Sequence, residues 1–249
     1  MSGIDAHGWT VAVVHADEVA DLPGLDGHPL PTPDRGDLTW AARAQPGGAA
    51  LATLRLRRRG QVADLRACFR LGWAVHAAEE LQLFRRQRTL LLGHDLSGAD
   101  TVSGFAAAPA LGADQAVSAW LALLQMAIDA LDPAPDGGPR PCIAQLPGPR
   151  DAAGLSPVWQ GLGRHFHAQD LDAARRQHGP DWERHVATLL PRHLVYASLL
   201  PAAAQAALGQ AAPQAEALRQ ALVQSGFGWR DHVGLADGGP VLERWPPGF

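Results

Sequence analysis

At 249 residues and 47% hydrophobic, the chain can bury one large core or two closely packed halves. A formal charge of −4, with no lysine and every basic side chain an arginine, leaves no basic footprint for a nucleic acid. Two cysteines far apart, Cys68 and Cys142, fit no metal spacing and point to a reducing, cytoplasmic setting.

"WTVAVVHA" (9–16) is β-branched and apolar and predicts a first strand. Pro and Gly punctuate the stretch from Asp21 to Asp37, which reads as loop. Two strands follow, 38–44 and 50–58, joined by the hairpin signal Gln45-Pro46-Gly47-Gly48. In the second, Leu54 and Leu56 alternate with Arg55 and Arg57, giving a core face and a solvent face. A strand at 69–77 leads into a short amphipathic helix at 78–86, then strands at 89–93 and 102–108.

A long helix spans 113–131, with Val117, Trp120, Leu121, Leu124 and Ile128 at helical spacing. Gln125 and Asp129 make it too polar to span a bilayer, and the N-terminus lacks an apolar leader. The Pro/Gly-rich stretch 132–141 links a first half (1–131) to a second (142–245) within one domain over 1–249. The second half opens with a strand at 142–146 and continues with helices at 156–167, 170–178, 181–191, 201–209 and 213–226. A strand from Phe227, a turn at Asp237-Gly238-Gly239 and a last strand close it. Trp73, Trp120, Trp159, Trp182 and Trp229 fall in these elements as core. This order implies a mixed β-sheet flanked by helices, an α/β (α+β) fold.

The stretches "GWAVHAAEELQLFRRQRTLLLGHDLSG", "SPVWQGLGRHFHAQDLDAA" and "HVATLLPRHLVYASLL", with "GFGWRDHV" and "DGGPVLE" after them, resemble bacterial arginine N-succinyltransferases. The resemblance runs in order from about residue 37 to residue 243. It implies a GCN5-related N-acyltransferase-like fold, no permanently bound cofactor, and succinyl-CoA and arginine as co-substrates. The family's two helices after the first strand and its further C-terminal domain have no counterpart expected in this chain.

The implied reaction sets four tasks: deprotonate the amine, polarise the thioester, hold the CoA pyrophosphate, and protonate the leaving thiolate. By the resemblance, "VSGFAAA" supplies backbone groups to the acyl-CoA arm through Phe105, Ala106 and Ala107. The pyrophosphate interval, 109–117, keeps one glycine, has no arginine, and carries Asp114 where an anion would sit. The family's proton-donor histidine, which precedes a proline, is here Ala212 before Pro213. Charged cleft positions are replaced by Gln145, Pro147 and Thr188, so no catalytic residue is assigned.

His76, His94 and Asp95 are the candidate substrate-binding residues; each also has a plain structural reading as a packed or turn-ordering side chain. His165 and His167 lack a third ligand at metal spacing, so no metal is expected. Glu79 and Glu80 beside Arg85 and Arg86 read as a solvated charged face. The cluster Arg55, Arg57, Arg58 and Arg59 reads as a solvated strand face, or as an attractor for CoA phosphates or an acidic partner. Two functions stay open: succinyl transfer, or a catalytically inactive paralogue that joins a homologous succinyltransferase subunit in a homo- or hetero-oligomer.

Overall fold

Alternating apolar residues build a mixed sheet, seen in a computed structural model that describes residues 3–4, 8–19, 22–25, 30, 33–34, 36–58, 66–131, 139–179 and 182–248. Its strands are β1 (Gly3–Ile4), β2 (Thr10–Val13), β3 (Leu38–Arg43), β4 (Ala52–Arg57), β5 (Cys68–Ala78) and β6 (Leu83–Gly93). They continue with β7 (Asp100–Ala107), β8 (Cys142–Gln145), β9 (Val195–Tyr196), β10 (Gly228–Val233) and β11 (Pro240–Arg244). In space they lie in the order β1-β2-β3-β4-β7-β8-β11-β10-β5-β6-β9. All neighbours run antiparallel except β7 and β8, which are parallel.

The helices are α1 (Ala113–Asp129), α2 (Pro157–Gly161), α3 (Leu171–His178), α4 (Trp182–Ala187), α5 (Ala202–Ala207) and α6 (Glu216–Gln224). Helix α2 starts at Ser156, whose hydroxyl accepts from the Trp159 N–H at 3.1 Å, with Pro157 in the first turn. Asp170 caps α3 in the same way, accepting from Ala173 N–H at 2.8 Å. Helices α1 and α6 bury Trp120, Leu123, Leu124, Leu218 and Leu222 against Leu54, Leu56, Val102, Ala144 and Leu242 of the sheet. Helices α2 to α5 bury Trp159, Trp182 and Val186 against Phe69, Leu71, Leu90 and Val233. Val233 pairs with both Phe69 and Pro240, two residues before Leu242, so both helical layers cover one face. Among the described residues no helix is long and apolar enough to cross a membrane.

The expected strands are found at β2 to β8, β10 and β11. The expected helix at 78–86 is not. Only a 3-10 turn forms at Glu79–Leu81, ended by Gln82 in the left-handed region (φ 48°). Residues on both sides belong to an eleven-pair hairpin from Cys68↔Gly93 to Ala78↔Leu83. A nine-residue helix is too short to hold itself in water, whereas the ladder adds a pair at each step. The helix expected at 156–167 breaks after Gly161 and resumes as a 3-10 turn at Gly163–His165. Trp120, Trp159 and Trp182 are core, but Trp73 and Trp229 are exposed: Trp73 stands on the β5–β6 hairpin, and Trp229 on the part of β10 that pairs with β11 but not with β5, its ring against Gly209. Residues 132–138 of the linker and Arg59 lie outside the described residues.

Candidate functional site

Strands β7 and β8 pair only at Asp100↔Cys142, Thr101↔Ile143 and Val102↔Ala144, then part. β7 runs on to Ala107 with β4 on one edge, through Thr53↔Ala106 and Ala52↔Ala107. The ladder is irregular between Thr53 and Arg55, opposite Gly104 at φ +60°. A side chain there would press on Arg55 Cβ at 3.0 Å, so glycine suits both the turn of the strand and the contact. Arg55 is buried, not solvated, with Nε 3.4 Å from Thr39 Oγ1, and desolvation lowers its pKa. Arg57 pairs with Asp34 and, at 3.4 Å, with Asp37.

The parted strands leave the outer edge of β7 available at Phe105, Ala106 and Ala107. That edge is taken by the chain itself. Gly24 forms an antiparallel bridge with Ala106, and the Leu25 N–H donates to the Phe105 carbonyl at 3.2 Å. Leu25 packs into the α1/α6 core, while Leu22 packs with Val14, Val19 and Ala41 on the opposite face. Residues 22–25 therefore pass through the gap, anchored on both sides.

Just ahead of α1 two backbone amides are occupied from within. Leu111 N–H donates to Ala108 O at 3.0 Å, and Gly112 N–H to Gln115 Oε1 at 3.3 Å. Asp114 stands exposed in the first turn, complementing the helix dipole. On the β8 side, Ala212 is 2% exposed and its N–H donates to Pro147 O at 2.8 Å, just past the end of β8. The position lies at the mouth of the gap and holds only a methyl group. Gln145 accepts from Arg66 Nη2 at 2.6 Å. Thr188 follows α4 and donates to His185 O at 2.7 Å.

A polar cluster sits on the sheet face opposite the helices. His232 Nδ1 lies 2.6 Å from Glu243 Oε1, and Trp245 Nε1 donates to Glu243 Oε2 at 2.8 Å. His232 Nε2 is 3.6 Å from Asp95 Oδ2, within ion-pair reach but long for a hydrogen bond. Arg70 closes the group, 3.9 Å from Asp95. The Glu243 hydrogen bond, aided by Asp95, raises the His232 pKa against the opposing effect of burial. Both thiols are held protonated by burial, Cys68 pushed up to about 11 and Cys142 to about 12, so neither is a ready nucleophile.

Of the candidate substrate-binding residues, Asp95 reaches this cluster and His94 is exposed at the start of the same turn, its carbonyl accepting from Ser97 N–H at 3.0 Å. His76 stands apart on β5, its ring 5.3 Å from that of Tyr196. Four inter-strand steps, about 19 Å, separate β5 from β7, so His76 is not brought to Phe105. His167 packs beside Trp159 and His178, while His165 is exposed. Sequence reasoning misses His232 and Glu243. Their signal is two ionisable residues in otherwise apolar strands flanking a tight turn, which the hairpin register brings to one face.

The model of the family described as arginine N-succinyltransferase beta subunit matches residues 60–245. The arginine N-succinyltransferase of Salmonella arizonae is 30% identical over 178 residues, 70% of this chain and 50% of that protein. The one from Salmonella paratyphi B matches to the same extent. The chain thus spans about half the length of the curated relatives it matches. The solved structure of arginine/ornithine succinyltransferase subunit AI from Pseudomonas aeruginosa matches with a TM-score of 0.62. That match covers 85% of this chain and 61% of the other at 22% identity, a likeness of fold, and the expected acyltransferase-like α/β fold is the one found.

Proposed function

Because this chain belongs to the arginine N-succinyltransferase family, we propose that it keeps the family fold as a non-catalytic subunit working beside a homologous succinyltransferase chain. The observation that carries this reading is the Leu25 N–H on the Phe105 carbonyl. Succinyl transfer would have the α-amino nitrogen of arginine attack the thioester carbonyl, the C–S bond break, and the thiolate take up a proton. An acyl-CoA arm laid along β7 would have to displace residues 22–25 and their two packed leucines. A methyl at Ala212 has no proton to give, and Asp114 meets an incoming pyrophosphate with like charge. Burying charged groups without a ligand is costly, which favours their replacement by Ala212 and Gln145 once binding is lost. The matched family is that of a beta subunit and the Pseudomonas structure is also of a subunit, in keeping with a chain that acts in company.

A second reading is succinyl transfer by the chain itself, favoured by one feature: the β7–β8 gap where a thioester would lie is retained. Arginine-dependent thiol release from succinyl-CoA separates the two. No release is expected from the chain alone, nor from Ala212→His. That variant forces a larger ring into a methyl-sized space and should cost about 1–3 kcal/mol in a urea melt. Turnover by the parent chain would establish the second reading.

A further inference from the structure

Between β6 and β7 the chain makes a turn, residues 94–99, on the sheet face opposite the helices. Leu96 of this turn is buried against Cys68, Ile143 and Val241, three residues of the sheet, with Ala99 beside them. Polar contacts tie the turn down around that apolar plug. Ser97 Oγ accepts from Arg66 N–H at 3.0 Å, and Asp95 Oδ2 lies 3.6 Å from His232 Nε2 and 3.9 Å from Arg70.

His232 is 6% exposed and stands between two carboxylates. Glu243 of β11 meets Nδ1 at 2.6 Å, and Asp95 of the turn faces Nε2, which has no hydrogen-bond partner among the described residues. Arg70 of β5 is the third charged group of the cluster, on the far side of Asp95. A protonated ring carries two N–H groups and can face both carboxylates; a neutral ring carries one. Glu243 is 3% exposed and its bond is short, so it keeps the remaining N–H. Nε2 is then a bare lone pair turned on the Asp95 carboxylate, whose side chain is half exposed and free to turn to water. The ring itself is fixed: β10 is irregular between Trp229 and Val233, with Asp231 at φ +64°, and this bulge aims His232 at Glu243. Of the two partners, the turn is the one that can let go.

From this geometry we infer that the His232–Asp95 contact is a proton-operated latch. With two N–H groups the ring holds the 94–99 turn on the sheet; on losing one it lets the turn lift and uncovers Cys68 beneath Leu96. Glu243 and Asp95 both favour the protonated ring, so the latch is closed below the ordinary histidine value of about 6.5 and opens as pH rises through the higher folded value. Arg70 keeps its charge throughout this window and its pair with Asp95 is exposed, so it holds the turn weakly and produces no step. The latch does not involve the β7 edge at Phe105, and it holds whether or not the chain turns over succinyl-CoA.

Thiol labelling of the intact native chain, followed separately at its two cysteines, tests this. Cys142 is buried on the helical face and reports opening of the whole sheet. The labelling rate at Cys68 divided by that at Cys142, each corrected for the titration of a free thiol, therefore reads the turn alone. Between about pH 6 and pH 8.5 this ratio should rise about tenfold in the parent. Asp95→Ala should show the raised ratio already at the acidic end, with no step, and Arg70→Gln should keep the step. His232→Gln should also lose the step; Asp95→Ala carries the test if that buried change unfolds the chain. A flat ratio in the parent, a step that survives Asp95→Ala or a folded His232→Gln, or a step that vanishes with Arg70→Gln would each overturn the latch.

Discussion

Gly239→Ala is expected to destabilise the chain by about 3 kcal/mol, while Gly228→Ala in the same hairpin should stay within about 0.5 kcal/mol. A methyl on Gly239 would overlap the Leu146 carbonyl oxygen and approach Gly148 N at 2.6 Å, whereas one on Gly228 meets nothing within 4 Å. Backbone atoms cannot swing aside as a flexible side chain can. Asp237 holds the crossing, its carboxylate accepting from Gly148 N–H and Gly239 N–H, each at 3.0 Å. Leu146 N–H donates to Pro240 O at 3.0 Å, and Gly209 N–H to Gly238 O at 2.8 Å. This clasp joins the end of β8 to the segment carrying Ala212, so it fixes one wall of the gap. A urea midpoint lowered at unchanged slope checks the expectation; equal midpoints for the two variants would remove the clasp from the explanation.

His232→Leu should have an effect of similar size, about 3 kcal/mol, because it strands the buried Glu243 carboxylate with Trp245 as its remaining side-chain donor among the described residues. The loss should depend on pH. Glu243 and Asp95 raise the His232 pKa, so the folded chain holds its proton more tightly than the unfolded one. The stabilisation is complete below the unfolded value of about 6.5 and fades as pH rises through the higher folded value. Urea melts across that window should show the parent losing stability with rising pH, and the Leu variant following a flatter course. A variant that keeps the parent's slope would mean that another group titrates.

Much of the framework was legible in the sequence because it is written in side chains. Alternation at Leu54 and Leu56 and the helical spacing through Trp120 and Leu124 gave strands and helix where they are found. The hairpin at 78–86 is not legible because Leu81, Phe84, Arg85 and Arg86 suit either a short helix or a strand, and the ladder with β5 decides. The replacements at Ala212 and Asp114 could be read directly: the Ala212 N–H meets Pro147 O just past β8, while Asp114 stands in the first turn of α1 and lines a shallow pocket with Gly8, Trp9 and Ala44. What fills the β7–β8 gap could not be read. Residues 22–25 meet β7 backbone to backbone, and such a contact leaves no residue-type signature in a Pro/Gly-punctuated stretch. The His232–Glu243 pair was hidden for a related reason, since it exists only once the strand register is set.

Calorimetric titration of the intact chain with coenzyme A and succinyl-CoA, with hydrogen exchange followed at the Leu25 amide, bears most directly on whether the segment at 22–25 closes the edge of β7 to an acyl-CoA arm. No saturable heat into the millimolar range and a protected Leu25 amide are expected. Micromolar binding that releases that amide to solvent would show that the segment is merely a displaceable cover, and the non-catalytic reading would be wrong.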